Sequence, residues 1–105
     1  MEMTTLVDVG AKFDGRLFFS GHARIAGEFN GEIYTNDTLI ITEGAKVKAT
    51  VDAGTVVISG NFEGILRAKN RIEMHPPASF RGTCITPKIK IEEGVVFQGE
   101  SKTIE

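Results

Sequence analysis

The side chains of this sequence that could do chemistry are few, and each has a plainer reading beside it. The segment GVVFQGES, Gly94–Ser101, has the glycine spacing of a phosphate-binding loop, but Glu100 stands where that loop needs a lysine. An anion there would repel a phosphate, so the segment reads as a turn followed by a strand. No G-x-G-x-x-G supplies a second nucleotide signature. His22 and His75 are the only imidazoles; a metal site needs three or four converging ligands, and the two read as separate surface residues. Cys84, the single cysteine, excludes an intramolecular disulfide and a cysteine metal cluster. It reads as a small buried hydrophobe, because nothing near it in sequence would favour a thiolate.

Charged groups fare the same way. Glu43 and the pair Glu92-Glu93 fall at turn signals, where solvated carboxylates are the default, and general acid–base work would require a pocket around them. Arg67, Lys69 and Arg71, adjoined by Lys88 and Lys90, make the most basic stretch; a solvated strand face is the first reading and a polar docking patch for a partner or lipid headgroup the second. Asn36-Asp37-Thr38 fits a glycosylation triplet, which carries no weight without a signal peptide. The expectation is a protein with no catalytic, cofactor-binding or metal-ligating residue, hence not an enzyme.

The bulk properties agree. The chain has 105 residues, enough for one core, with 41% hydrophobic and 25% charged residues, near the averages of folded proteins. A formal net charge of -2 with both signs interspersed gives no field that would gather nucleic acid or an anionic membrane. The first residues, MEMTTLVDVG, lack the basic and apolar regions of a signal peptide, and no later run approaches the roughly 18 apolar residues of a membrane span. A reducing, cytoplasmic location is expected.

What must position all these side chains is a repeat. A phrase of apolar, small and apolar residues at alternate positions recurs at Phe13/Gly15/Leu17/Phe19, Phe29/Gly31/Ile33/Thr35, Val47/Ala49/Val51/Ala53, Phe62/Gly64/Leu66/Ala68, Phe80/Gly82/Cys84/Thr86 and Phe97/Gly99/Ser101/Thr103. The second members are 16, 18, 15, 18 and 17 residues apart, a slipping period of about 17. A second alternating pair follows the first five phrases: Ala23 and Ile25, Leu39 and Ile41, Val56 and Ile58, Ile72 and Met74, Ile89 and Ile91. Corner signals come next, at Gly27, Glu43-Gly44, Ser59-Gly60, His75-Pro76-Pro77 and Glu93-Gly94. The residues between the first three columns, all polar but Ile65, give the alternation of strands with one buried face, and glycines this frequent would cost roughly 1 kcal/mol each inside helices.

Such a chain predicts a solenoid, in which no repeat can bury its apolar face alone and stacked repeats bury a continuous core. Five of the seven phenylalanines fall in one column, so the core ladder is expected to be Phe13, Phe29, Val47, Phe62, Phe80 and Phe97. Six windings spaced about 4.7–4.9 Å apart make a rod on the order of 25–30 Å long. The small residues of the glycine column are expected to leave room for that ladder, so Gly82→Val should destabilise by overpacking.

The phrases at Ala45–Met74 and Ala78–Gly99 resemble the repeat unit of the bactofilin family, in the G-x-Φ-x-G-x-Φ-x-A spacing of the middle and the EEG-apolar-x-F-x-G ending. The resemblance covers about residues 10–101. It implies an all-β, single-domain, right-handed parallel β-helix of about six windings, with a flexible N-terminal tail at 1–9 and a short C-terminal tail at 102–105. It further implies a cytoskeletal protein that polymerises head to head and tail to tail without nucleotide and serves cell shape or envelope organisation. Its partners would be itself and cell-envelope or peptidoglycan-modifying proteins. The family's N-terminal membrane-binding segment has no match in MEMTTLV, where Glu2 interrupts a few apolar residues, which argues against direct membrane attachment.

Physics gives a separate reason to expect assembly. Solenoid ends need polar caps, since they otherwise expose unpaired backbone and half a core. No cap is visible, so Phe13, Leu17 and Phe19 at one end and Val96 and Phe97 at the other are the expected polymer interface, with Phe97 the residue the resemblance points to. Three rivals remain. A monomeric or dimeric β-helix scaffold docking a cell-wall enzyme differs only in having covered ends. A left-handed β-helix acyltransferase would show a strict six-residue period and a catalytic histidine. A secreted lyase or calcium-binding β-helix would show a signal peptide or G-G-x-G-x-D runs.

Overall fold

The structure, a computed structural model, describes residues 3–7 and 10–103. Ten strands make it up, with no helix among the described residues: β1 Met3–Val7, β2 Lys12–Phe19, β3 His22–Ile25, β4 Glu28–Thr35, β5 Thr38–Ile41, β6 Lys46–Ile58, β7 Asn61–Met74, β8 Ser79–Thr86, β9 Ile89–Ile91 and β10 Val96–Thr103. Every pairing is parallel. Parallel neighbours so close in sequence arise because each circuit brings the chain back one strand spacing further along an axis.

Two ladders wind around that axis. One stacks β2, β4, the first half of β6, the first half of β7, β8 and β10; the other stacks β1, β3, β5, the second halves of β6 and β7, and β9. The all-β solenoid is therefore as expected. Five circuits are complete, β2–β3, β4–β5, β6, β7 and β8–β9, and β1 and β10 add half a winding at either end. The longest dimension is 31 Å.

Register places the repeat phrases on top of one another. Phe13, Phe29, Val47, Phe62, Phe80 and Phe97 occupy one column, and the second phrases align as Ala23, Leu39, Val56, Ile72, Ile89 and as Ile25, Ile41, Ile58, Met74, Ile91. Phenylalanine rings stack nearly face to face at 5.5 Å (Phe13–Phe29), 5.3 Å (Phe62–Phe80) and 5.2 Å (Phe80–Phe97), with Val47 between the two runs. Burying each such ring removes enough apolar surface to contribute roughly 1.5–3 kcal/mol. Cys84 lies wholly buried in the Leu66 column.

The glycine column has a different cause from the one expected. These glycines are exposed or half-buried, and Gly82 has φ +135°, where a Cβ would lie 1.9 Å from the carbonyl oxygen of Gly64 one winding below. Gly31, Gly64 and Gly99 repeat that approach. Backbone conformation and the close stacking of windings demand glycine there, and room for the phenylalanine ladder does not.

The tails also differ. Met3–Val7 forms β1 on the free edge of β3, and Lys102 and Thr103 continue β10 beside Ile85 and Thr86. An unpaired parallel edge recruits any extended chain within reach, which short polar tails did not reveal. Residues 1, 2, 8, 9, 104 and 105, the rest of the expected tails, lie outside the described residues.

Candidate functional site

Groups singled out for chemistry are dispersed by the solenoid and used structurally. Gly94 makes a corner and Glu100 points outward from β10, so the loop-like spacing builds no phosphate cradle. His22 starts β3, while His75 sits at a corner where its Nδ1 lies 2.9 Å from Glu92 Oε1, tying that corner to the next winding. Asn36 accepts a hydrogen bond from Lys69 Nζ at 2.6 Å, and Asp37 accepts one from the Gly21 amide at 2.6 Å. Arg71 pairs with Glu73 at 3.4 Å, which breaks up the basic stretch. Burial pushes the Cys84 thiol up from its ordinary pKa, opposing thiolate formation. Among the described residues no three His, Cys, Asp or Glu side chains could hold a metal ion together.

The features that stand out are the two ends. On the first ladder β2 has, among the described residues, a strand partner only on the β4 side, so its other edge offers unpaired amides and carbonyls beside Phe13, which is 36% exposed, and half-buried Leu17 and Phe19. Among the described residues Phe13 has one ring partner, Phe29. At the opposite end, among the described residues, β10 pairs only with β8 and the Phe97 ring stacks only on Phe80. Val96 is 51% exposed, but it stands in the polar column with Ser79 and Asn61, while Val95 and Phe97 are the residues that pack on the core. Ile89 and Ile91 complete this end: no strand covers β9 among the described residues, and Ile91 is 43% exposed. They were missed although the second phrase foretold them, since the last pair in a stack has nothing above it.

Both termini of the rod therefore show the cross-section of a parallel β core. A bactofilin family model, described as polymer-forming cytoskeletal, matches residues 5–102. The chain belongs to the bactofilin family. Within the bactofilins it is 27% identical to BacP of Myxococcus xanthus over 95 residues, covering 90% of this chain and 40% of that one, and 24% identical to BacO of the same organism over 95 residues, covering 90% and 75%. It thus spans about two fifths of the first relative's length. No solved structure gives a significant match. Membership places this bactofilin chain in a structural, cytoskeletal family described as polymer-forming. No described helix is long and apolar enough to cross a membrane.

Proposed function

We propose that the chain assembles end to end, through its terminal windings, into nucleotide-independent filaments whose junctions alternate head to head and tail to tail. The observation that carries this reading is the pair of terminal rings, Phe13 and Phe97, each with a single ring partner beside a strand edge that has no partner among the described residues. Stacking a second copy would satisfy the edge amides and cover the half-exposed column, and contacts that do not close a ring extend indefinitely. The interface comprises Phe13, Leu17 and Phe19 at one end and Val96 and Phe97 at the other, joined by Ile91. Such filaments would scaffold envelope or cell-shape machinery from the cytoplasmic side, recruiting peptidoglycan-modifying proteins.

Negative-stain electron microscopy of the chain without nucleotide or metal, beside Phe97→Arg, tests it. Straight filaments in the parent that vanish in a folded variant are expected. Uniform small particles in both would turn the reading to a monomeric scaffold, and normal filaments from the variant would remove Phe97 from the interface.

A further inference from the structure

The outer face of the first ladder carries a pattern that neither the core nor the ends require. On it two outward columns run the length of the rod. One reads Arg16, Glu32, Thr50, Ile65, Thr83, Glu100 and the other Phe18, Tyr34, Asp52, Arg67, Ile85, Lys102. Phe18 is 71% exposed and stacks on Tyr34 at 5.0 Å, while Ile65 is 46% exposed. Large apolar side chains on the solvent face of a strand signal a contact surface.

The order of residues says what the contact is. Turn a second copy over about a two-fold axis parallel to the strands, lying between the Asp52 and Arg67 rows. Strand direction is kept, the rod axis reverses, and each row meets its opposite number. Asp52 then faces Arg67 of the other copy twice over, Arg16 faces Glu100, Tyr34 faces Ile85, and Phe18 lies against Lys102 as ring and cation. In the remaining pairs Glu32 faces Thr83 and Thr50 faces Ile65, so no like charges meet and the charged rows 52/67 and 16/100 meet their opposites, which is the self-complementarity an isologous interface needs. The alternative two-fold, along the rod axis, would match Glu100 with Lys102 but set Asp52 on Thr50, Arg67 on Ile65 and Arg16 on Phe18, leaving the central charges without opposite partners. We propose that this face is a lateral docking surface for a second copy of the chain running antiparallel. Filaments whose subunits alternate in direction would present it in both senses along their length, so neighbouring filaments could zip side by side. The surface stands on its own observation and does not rest on the end-to-end reading.

Charge complementation tests it. Asp52→Arg makes both central positions cationic, and Arg67→Asp makes both anionic; each alone sets like charge against like across the axis, whereas a mixture of the two restores both pairs. The parent should show side-by-side pairs by electron microscopy at low ionic strength, dispersed near 1 M salt where the Debye length is about 3 Å. Each variant, assembled separately, should remain single, with lateral association at least tenfold weaker, and mixing them should restore pairs to the parental level. That recovery also shows both variants to be folded. A parent that never pairs, a single variant that pairs as the parent does, or a mixture no better than its components would overturn the proposal. Should no filament form, the end-to-end reading falls alone, because the same mixtures read as dimers by sedimentation velocity still decide the face.

Discussion

A single backbone geometry recurs at residue scale: extended chain turned by glycine at φ near +135° against the carbonyl of the winding beneath. Gly15 shares the conformation, φ +140°, but has no winding beneath it among the described residues, so a Cβ there meets the Phe13 ring at 3.5 Å. Gly15→Ala should therefore cost the backbone strain alone, on the order of 1–3 kcal/mol. Gly82→Ala adds a collision with fixed backbone and should lower stability clearly more; equal losses in urea titration would show that the close approach is unimportant. Glu32 provides a second case. The Tyr34 hydroxyl donates to its Oε1 at 2.8 Å and Arg16 lies beside it, so its pKa falls below 4.5, chiefly through the tyrosine. A depressed carboxylate contributes stability that is present above its unfolded value and lost as pH falls through the folded one. Tyr34→Phe should move the Glu32 titration up toward the ordinary range, read by carboxyl NMR; an unchanged titration would shift the cause to Arg16.

The ladders decide what each position is worth at the scale of elements. Phe62 is 2% exposed and stacks on Phe80, and Phe62→Ala should cost about 3–5 kcal/mol by opening a cavity that the rigid column cannot close. Phe13, stacked on one side only at the rim, should cost much less in the unassembled chain; equal losses in thermal melts of dilute protein would mean that the end winding is covered. Most of this architecture was legible in the sequence, because a parallel solenoid keeps chemically alike residues in register. The phrases beginning at Phe13, Phe29 and Phe62, and the pairs Leu39 and Ile41 or Val56 and Ile58, align as read. The purpose of the glycine column was not legible, because φ and the approach of the next winding leave no trace in side-chain patterning. Nor was β1, since MTTLV carries no repeat phrase and is defined by the edge it joins. The Phe18–Tyr34 stack escaped notice because neither residue falls in a repeat phrase, although an aromatic pair one period apart was the available signal.

At the scale of the whole molecule the described residues make a short rod with two unlike ends and no capping element among them, and under end-to-end assembly these ends are the junctions. If like ends join, blocking one end leaves the other junction intact, so Phe97→Arg should stop at head-to-head dimers and Phe13→Arg together with Phe97→Arg should give monomers. If unlike ends joined, either substitution alone would give monomers, because every junction would contain one altered partner. Sedimentation velocity of Phe97→Arg, in salt high enough to screen lateral ion pairs, separates these cases. A discrete dimer that becomes monomer when Phe13→Arg is added is the predicted result; filaments of parental length, or monomer from Phe97→Arg alone, would contradict the account.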